Sequence, residues 1–505
     1  MSSGTTSEPT GQGTVVHAGR LPLRTKFAFG VGQLAEGAKN SGFGIFLLIY
    51  YNQVLGLPGT LAGIAIMIAL CFDAITDPIA GSISDGLRSR WGRRHPFMYA
   101  SAVPLAICFT LLFSPPEGLP TYWLFGWLLT FTVLTRASMT LYHVPHLALG
   151  AELTEHYEER TVLVSFRTAF SLVGNLTAIG LGFGLFLADR GDTPGNLVAE
   201  AYPPFALTLG VIMAVTILWS AWGTHDRIPT LVGPAANPDR RGLGTVLTGV
   251  FRDLVTALGN RSFRQLFSGV IIVFVMVGVQ QALALYMANY FWELDSTEVL
   301  LVSLAPPIGM LLGAPFGRLL NARFDKKPSV VIGTAWYAIF QLSPPIARLL
   351  GLFPANGDPV LVPLIVGIYV VGGMGVVQAL VSSGSMMADI ADEHELEQGR
   401  RQEGIFFGAL SFSGKAATGV GNLVGGFALD VIDFPERAVP GEVGAEIVQR
   451  LGLVYGPLVM VAALAAVVLF SRYQLTRARH EAILDELRAR RSAVVDAATA
   501  PGRAP

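Results

Sequence analysis

Long apolar runs recur along this sequence, and they constrain its fold more than any other feature. A helix needs roughly 20 mostly apolar residues to cross the hydrocarbon core of a bilayer. Such runs are predicted at 27–53, 60–86, 97–113, 122–148, 162–187 and 203–222, and again at 265–291, 298–319, 329–350, 360–386, 403–430 and 451–473. The sequence therefore predicts an all-α integral membrane protein with twelve transmembrane helices.

The composition supports this class and excludes others. Of the 505 residues, 52% are hydrophobic and 14% are charged, whereas a soluble chain carries about 25% charged residues. A net charge of −1 argues against a nucleic-acid partner, which requires a concentrated basic face. Neither a Ser/His/Asp arrangement nor a metal-ligand cluster is apparent in the sequence, so we predict no enzyme and no cofactor.

Basic residues predict the orientation of the helices. Lysine and arginine are concentrated in alternate loops and near both ends: Arg20, Arg24 and Lys26; Arg88, Arg90, Arg93 and Arg94; Arg227, Arg240, Arg241 and Arg252; Arg323, Lys326 and Lys327; Arg472, Arg477 and Arg479. The other loops are short and contain almost none. We therefore expect both termini in the cytoplasm. Because Met1–Arg20 lacks the apolar core of a cleavable signal peptide, we expect a multi-pass protein of the inner or plasma membrane.

A long basic segment at 224–264 divides the chain into two sets of six helices. Two six-helix halves with a cytoplasmic linker are typical of the major facilitator fold. The predicted organisation is an N-terminal tail (1–26), a six-helix bundle (27–223), the linker (224–264), a second bundle (265–473) and a C-terminal tail (474–505).

Charged residues inside apolar helices indicate where the chemistry lies, because each costs roughly 2.5–3.5 kcal/mol on insertion scales. Asp73 and Asp77 are four residues apart in the second helix and hence on one face. Two adjacent carboxylates repel each other unless a proton or cation lies between them. This favours a cation site completed by Thr76 or a neighbouring helix. The alternative is a pair of salt bridges to Arg136 or Lys415.

Other polar residues in the helices are candidates for binding a solute. Glu36, Lys39 and Asn40 line one stripe of the first helix, either as a self-satisfied pair or facing a central cavity. His143 lies beside Pro145, which is expected to bend the fourth helix. Arg167 and Lys415 interrupt the fifth and eleventh helices; Arg167 can extend to the interface, whereas Lys415 lies deeper and requires a partner.

Two charged segments follow the fourth and tenth helices. The first runs from Glu152 to Arg160, and the second, Met386–Glu397, is interpreted as a solvated loop that precedes Arg400 and Arg401. Opposite charges in the two segments permit a lock on the cytoplasmic side when a carrier opens outward.

Several motifs resemble a known transporter family. Gly81-x-x-x-Asp85 followed by Arg90-Trp-Gly-Arg-Arg94 is similar to the loop signature of major facilitator transporters. FDAITDPIAG (72–81), VPHLALGAELTEHYEERT (144–161) and MMADIADEHELEQGRRQEGIFFG (386–408) resemble the glycoside–pentoside–hexuronide:cation symporters, the melibiose-permease group. The motifs occur in the expected order, and the resemblance extends over both halves.

The resemblance implies specific roles for residues of this chain. It implies that Asp73, Asp77 and Thr140 belong to a cation site, that Arg167 and Lys415 belong to the transport site, and that Arg160 and Asp392 form a cytoplasmic gate. The chain departs from the family where Gly37 and His143 replace sugar-binding aspartates, and where Leu147 and Leu380 replace tryptophans. The aspartate motif of the second helix (72–78) and the His143-Val-Pro145 stretch also resemble animal sodium-coupled lysophospholipid carriers.

We therefore expect a Na⁺- or H⁺-coupled symporter that works by alternating access. Asp73, Asp77, Thr76 and Thr140 are predicted to bind the ion, and Glu36, Lys39, Asn40, His143, Arg167 and Lys415 to surround a sugar or glycoside. The alternative substrate is a lysophospholipid or another amphiphile. We expect the protein to act as a monomer in the bilayer.

Overall fold

The computed structural model describes residues 20–87, 89–154, 156–189, 191, 193–231, 243–399 and 403–499. Most of the predicted N-terminal tail and the middle of the linker lie outside these ranges. So do Arg88, Arg240, Arg241, Arg400 and Arg401, which contributed to the predictions of orientation and charged segments.

The described residues of the N-terminal half form six membrane helices. These are α1 (Leu23–Val31, Gln33–Ser41, Gly42–Phe46, Leu47–Ile49 and Tyr50–Val54 in succession), α2 (Gly59–Gly86), α3 (His95–Leu112), α4 (Thr121–Glu152), α5 (Tyr157–Leu181, continued by Gly182–Phe186) and α6 (Tyr202–Gly223). Short 3₁₀ turns at Gly195–Leu197, Ala199–Ala201 and His225–Thr230 flank α6.

Six more are formed by residues 261–399 and 403–471 of the C-terminal half. These are α7 (Arg261–Tyr286, continued by Met287–Phe291), α8 (Ser296–Arg323), α9 (Lys326–Leu349), α10 (Leu361–Gln398), α11 (Glu403–Val431) and α12 (Ala445–Leu453, Val454–Leu458 and Val459–Ser471). A linker helix (Leu243–Gly259) joins the halves, and a C-terminal helix (Arg477–Thr499) follows α12.

Ten helices in the described part of the chain are individually long and apolar enough to cross a bilayer. The other two crossings, α1 and α11, carry polar residues of the predicted site. α1 is divided into short segments by π-type turns and includes Glu36 and Lys39. α11 is rich in glycine and includes Lys415. The predicted twelve-helix architecture is confirmed, and these two crossings contribute Glu36, Lys39 and Lys415 to the interior.

Glycines allow α2 and α11 to pack backbone against backbone. A Cβ atom at Gly63 would lie 2.8 Å from Leu423 Cα, and one at Gly59 would lie 2.5 Å from the carbonyl oxygen of Gly426. This approach between the halves places the acidic residues of α2 within reach of Lys415 on α11.

The two faces of the helix bundles are distinguished by the positions of the described chain ends. The start of α1 is held to the start of α5 by the Lys26–Glu159 ion pair at 2.8 Å. The C-terminal helix begins beside the α8–α9 turn, where the Arg477 backbone N–H donates to Asp325 Oδ2 at 3.1 Å. We call the face that carries both described chain ends the terminal face, and the opposite one the distal face.

Hydrogen bonds join the two halves at the distal face. Tyr286 of α7 donates to Asn52 Oδ1 of α1 at 2.7 Å, and Tyr290 donates to Gln53 Oε1 at 3.1 Å. Asn52, Tyr286 and Tyr290 are at most 2% exposed. The distal ends of α1 and α7 therefore form a closed contact in this conformation.

The interpretation of Met386–Glu397 as a loop is wrong, because α10 continues as a helix to Gln398. Its acidic residues find partners on neighbouring elements. Lys326 of α9 donates to both carboxylate oxygens of Asp389 at 2.7 Å, and Nε2 of His480 on the C-terminal helix lies 3.0 Å from Asp392 Oδ2. The C-terminal helix also buries Ile483, so packing stabilises a segment whose composition is typical of a solvated loop.

Candidate functional site

Asp73 and Asp77 of α2 share the ammonium group of Lys415. Lys415 Nζ donates to Asp73 Oδ2 at 3.0 Å and to Asp77 Oδ2 at 2.5 Å. The spacing of four residues places both carboxylates on the side of α2 that faces α11. A positive charge thus lies between the two acids, where their mutual repulsion requires one.

Thr140 of α4 contacts the same two carboxylates from the other side. Its Oγ1 is 2.8 Å from Asp73 Oδ1 and 3.1 Å from Asp77 Oδ1. A hydroxyl has one hydrogen to donate, so Thr140 serves one carboxylate at a time. A change in charge on either carboxylate can therefore change which of the two receives the hydrogen bond from Thr140.

Arg136 provides a second positive charge at Asp73. Its Nη1 lies 3.3 Å from Asp73 Oδ2, and its guanidinium lies 4.8 Å from the centre of the Phe43 ring. Asp73 is 5% exposed and Arg136 is 7% exposed. Buried charges of this kind persist only when paired. Both salt-bridge partners considered in the sequence analysis are therefore present.

The hydroxyl of Thr76 bonds to the backbone and not to the carboxylates in the part of the chain that the structure describes. Its hydroxyl donates to the backbone carbonyl of Asp73 at 3.2 Å, which is a common local bond for threonine within a helix. The structure brings Asp73, Asp77 and Thr140 together and leaves Thr76 outside the group.

The polar stripe of α1 is internally satisfied. Lys39 Nζ lies 3.1 Å from both carboxylate oxygens of Glu36, and Asn40 Nδ2 donates to Glu36 Oε1 at 3.1 Å. Lys39 is buried, whereas the Glu36 side chain is 17% exposed. The self-satisfied pair considered in the sequence analysis is present, and the Glu36 carboxylate keeps some access to solvent.

His143 of α4 faces this stripe. Its Nδ1 lies 3.9 Å from Glu36 Oε2 and 3.4 Å from Nε2 of Gln33. The imidazole is one quarter exposed, so it borders an accessible space. His146, one turn later, has a packing role: its Nε2 is 2.8 Å from the Phe29 carbonyl oxygen, and its ring stacks on Phe29.

Arg167 lies on the side of α5 that packs against α1. Ser171, four residues later on the same side, approaches so closely that a Cβ atom at Gly37 would collide with its carbonyl. Arg167 is half-buried and close enough to His146 to interact with it electrostatically. Among the described residues it has no carboxylate partner, in contrast to Lys39, Arg136 and Lys415.

The two residues of the predicted gate have separate partners in this conformation. Arg160 donates from Nε to the Thr154 carbonyl at 3.0 Å, at the end of α4. Asp392 lies 3.0 Å from Nε2 of His480 on the C-terminal helix. The structure does not bring Arg160 and Asp392 together, and their role as a gate stays a prediction.

A cavity of about 240 Å³ leads from the acidic pair toward the terminal face. It lies between α2, α11 and the linker helix, and Asp77, Pro78, Lys415 and Asp253 are among its lining residues. Asp77 therefore borders a space that a small ion can enter, whereas Asp73 is more deeply buried and is not among the lining residues.

Two residues of this region were not identified from the sequence. Gln33 is 4% exposed and contacts His143, but an uncharged amide gives little signal in an apolar helix. Asp253 lies in a linker whose helix was not predicted. The amphipathic pattern of Leu243–Gly259 was the available signal for that helix.

A family model described as MFS/sugar transport protein matches residues 28–477. The putative glycoside/cation symporter YagG of Escherichia coli (strain K12) is 27% identical and covers 95% of this chain and 99% of its own. The sodium-dependent lysophosphatidylcholine symporter 1-B of Danio rerio is 24% identical over 84% of this chain and 82% of its own.

Solved structures with little sequence identity share the fold. The xylose transporter XylE from E. coli, in a partially occluded inward-open conformation, superposes with a TM-score of 0.52 at 14% identity, covering 87% of this chain and 97% of XylE. At that identity the likeness concerns the architecture alone.

Proposed function

Since this chain belongs to the MFS/sugar transport protein family, we propose that it is a cation-coupled symporter whose Asp73–Asp77 pair binds Na⁺ or H⁺ and whose solute is a sugar or glycoside. The protein is a multi-pass membrane transporter and not an enzyme. The proposal places it in the inner or plasma membrane, with the terminal face in the cytoplasm and the distal face outside.

The observation that carries the proposal is the bridging position of Lys415. Its ammonium has the same charge as a sodium ion or a proton, and it is shared by two carboxylates at 3.0 and 2.5 Å. An incoming cation can replace it at Asp77, which the cavity beside α11 reaches. The exchange keeps the acidic pair neutralised throughout, so neither state leaves buried carboxylates in repulsion.

The exchange also explains how ion and solute are coupled. Once a cation occupies the carboxylates, the Lys415 ammonium is free to contact a solute together with Glu36, Lys39, Asn40, His143 and Arg167. Solute bound to Lys415 would in turn leave the carboxylates available to the cation. Each ligand therefore increases the affinity for the other by the same factor, as linkage requires.

Arg160 and Asp392 are proposed to act as a gate on the terminal face during transport. When the terminal face closes, Asp392 would exchange His480 for Arg160, which holds the end of α4 through backbone carbonyls in this conformation. Both residues lie on the segments that must approach each other for that closure.

A lysophospholipid is the second candidate solute. The relative from Danio rerio has that specificity in its name. In addition, Gly37 and His143 stand at the positions where the resemblance implies sugar-binding carboxylates. A site with fewer carboxylates suits an amphiphile better than a bare sugar, because hydroxyl groups are commonly held by acids.

Thermal stability of the purified protein distinguishes these candidates. A ligand that binds only the folded state stabilises it by RT ln(1 + [L]/Kd). If the coupling ion is Na⁺, we expect a glycoside to raise the melting temperature more in the presence of Na⁺ than in its absence. If it is H⁺, the increase should depend on pH. A cation-dependent increase in melting temperature with lysophosphatidylcholine alone would favour the second candidate. Increases that are the same with and without the cation would contradict coupling between ion and solute.

A further inference from the structure

Seven charged residues lie deep within the helices that surround the candidate site. In α1, α2, α4, α5 and α11 they are more than eight residues from either helix end: Glu36, Lys39, Asp73, Asp77, Arg136, Arg167 and Lys415. Three are carboxylates and four are basic, so the interior carries one excess positive charge.

The excess charge can be assigned to one residue. Glu36 is paired with Lys39 at 3.1 Å, Asp73 with Arg136 at 3.3 Å, and Asp77 with Lys415 at 2.5 Å. Arg167, on the face of α5 that packs on α1, remains without a carboxylate among the described residues. A half-buried guanidinium in this position is costly unless an anion accompanies it.

Binding of a coupling cation adds a further positive charge to the same low-dielectric region. We infer that the solute of this transporter is an anion, whose carboxylate or phosphate pairs with Arg167 and with the Lys415 ammonium that the cation releases. This inference rests on the proposed symport. An anionic group compensates the charge of the coupling ion, so that the site carries no more net charge with both ligands bound than with neither.

Matched probe pairs test the sign of the solute. One pair is 4-nitrophenyl glucuronide and 4-nitrophenyl glucoside, which differ in a carboxylate; the other is oleoyl lysophosphatidate and mono-oleoylglycerol. Affinities are measured from thermal shifts of the purified full chain with Na⁺ and across pH. We expect the anionic member of one pair to bind at least about tenfold more tightly, as for a charge-assisted hydrogen bond.

The Arg167→Gln variant links the preference to the assigned residue. Its affinity for the anionic probe should fall about tenfold more than its affinity for the neutral probe. Arg450→Gln, which removes an exposed arginine paired with Glu446, should bind like the wild type. Equal or tighter binding of the neutral members, no binding of either anion, or an anion preference that survives Arg167→Gln would overturn the inference.

Transport assays in proteoliposomes distinguish a failure of the anionic-solute inference from a failure of the proposed symport. Cation-driven accumulation of a neutral probe would contradict the anionic solute and leave symport intact. Uptake of an anionic probe that equilibrates without regard to any ion gradient would contradict symport while supporting the solute class.

A second inference concerns the distal face and rests on different contacts. Asp189, just after α5, accepts hydrogen bonds from the backbone N–H of Ser296 at 2.8 Å and from the Ser296 hydroxyl. Ser296 is the first residue of α8. A residue that follows the fifth helix of the N-terminal half thus caps the second helix of the other half.

The reciprocal contact occurs between α11 and α2. Asp430, near the end of α11, accepts from the backbone N–H groups of Gly59 and Thr60 at 3.0 and 2.8 Å. Gly59 begins α2. Here the fifth helix of the C-terminal half caps the second helix of the N-terminal half, so the two contacts are equivalent under the repeat of the fold.

A helix N-terminus has unpaired N–H groups and a partial positive charge, and a carboxylate satisfies both. We propose that Asp189 and Asp430 form the distal gate of the proposed transport cycle as two helix caps exchanged between the halves. Both caps break when the distal ends separate. Each therefore favours the conformation that is closed on this face.

Distance measurements between spin labels test the gate without any transport. Labels at Glu117 and Glu442, exposed loop residues of different halves, report the separation of the distal ends in nanodiscs. Asp189→Ala and Asp430→Ala should each raise the ratio of open to closed protein about fivefold, the effect of losing one N-cap. The double variant should exceed either one.

Asp358→Ala is the matched control. Asp358 also accepts a backbone hydrogen bond on a distal loop, from Val360 at 2.9 Å, but both residues belong to the same half. Its distance distribution should match that of the wild type. Distributions for Asp189→Ala and Asp430→Ala that equal the control would overturn the gate, whatever the outcome for symport.

Discussion

Lys415 donates a hydrogen bond to Asp77 at 2.5 Å although the two residues are 338 positions apart in the chain. They belong to different halves of the transporter, so the contact is part of the interface that must rearrange during alternating access. The Lys415 ammonium belongs to α11 and the acidic pair belongs to α2. Replacement of the ammonium by an ion therefore directly affects the position of α11 relative to α2.

Removal of Lys415 should strengthen ion binding. In Lys415→Gln a cation no longer competes with the ammonium for Asp73 and Asp77, and the two carboxylates repel each other when no cation is bound. We expect lower stability in ion-poor buffer and a larger increase in melting temperature on addition of the coupling ion than in the wild type. An unchanged response to both Na⁺ and pH would contradict the bridging role of Lys415.

Thr140→Val should weaken the response to the coupling ion. The variant keeps the shape of the side chain but removes the hydroxyl that lies 2.8 and 3.1 Å from the two carboxylates. The hydroxyl oxygen is also a ligand that Na⁺ would gain beside the carboxylates, and loss of a contact to a charged group of about 1.5–3 kcal/mol should lower the apparent Na⁺ affinity at least about tenfold.

Thr132→Val is its control on the same helix. The Thr132 hydroxyl is buried and has no hydrogen-bond partner among the described residues. The control should retain the ion affinity of the wild type, and an equal loss in both variants would show that the effect of Thr140→Val is not specific to the acidic pair.

Arg136→Met should destabilise the protein by about 3–5 kcal/mol, because it leaves part of the buried Asp73 charge uncompensated. The added Asp73→Asn substitution removes that charge and should restore at least half of the loss. Unfolding in denaturing detergent measures both values. Additive losses in the double variant would contradict a direct interaction between the two side chains.

Gly63→Ala should disturb the contact that brings α2 to α11. Its Cβ atom would lie 2.8 Å from Leu423 Cα, closer than packed carbon atoms normally approach. Gly81→Ala on the same helix meets only Val144 Cγ1 at 3.6 Å, an ordinary contact. The first variant should lower the melting temperature and weaken the ion response, whereas the second should do neither.

The sequence predicted the helices and the position of the acidic pair, because both depend on local patterns. Apolar runs defined the twelve crossings, and the spacing of Asp73 and Asp77 placed both on one face. Arg136 and Lys415 were identified as possible partners since buried charges require compensation.

Contacts between distant elements could not be predicted in the same way. The Met386–Glu397 segment forms part of a helix because Lys326 pairs with Asp389 and His480 of the C-terminal helix pairs with Asp392. Likewise, nothing in the sequence around Asp189 or Asp430 indicates that each caps a helix of the other half. These features depend on the relative position of elements far apart in the chain.

Solute accumulation in proteoliposomes tests the central role of the acidic pair most directly. The wild type and Asp73→Asn are compared, each with an inward Na⁺ or pH gradient and the solute identified by thermal stability. We predict that the wild type accumulates solute above the external concentration, and that the well-folded Asp73→Asn variant only equilibrates it. Accumulation by Asp73→Asn to the wild-type level would contradict the assignment of the coupling site.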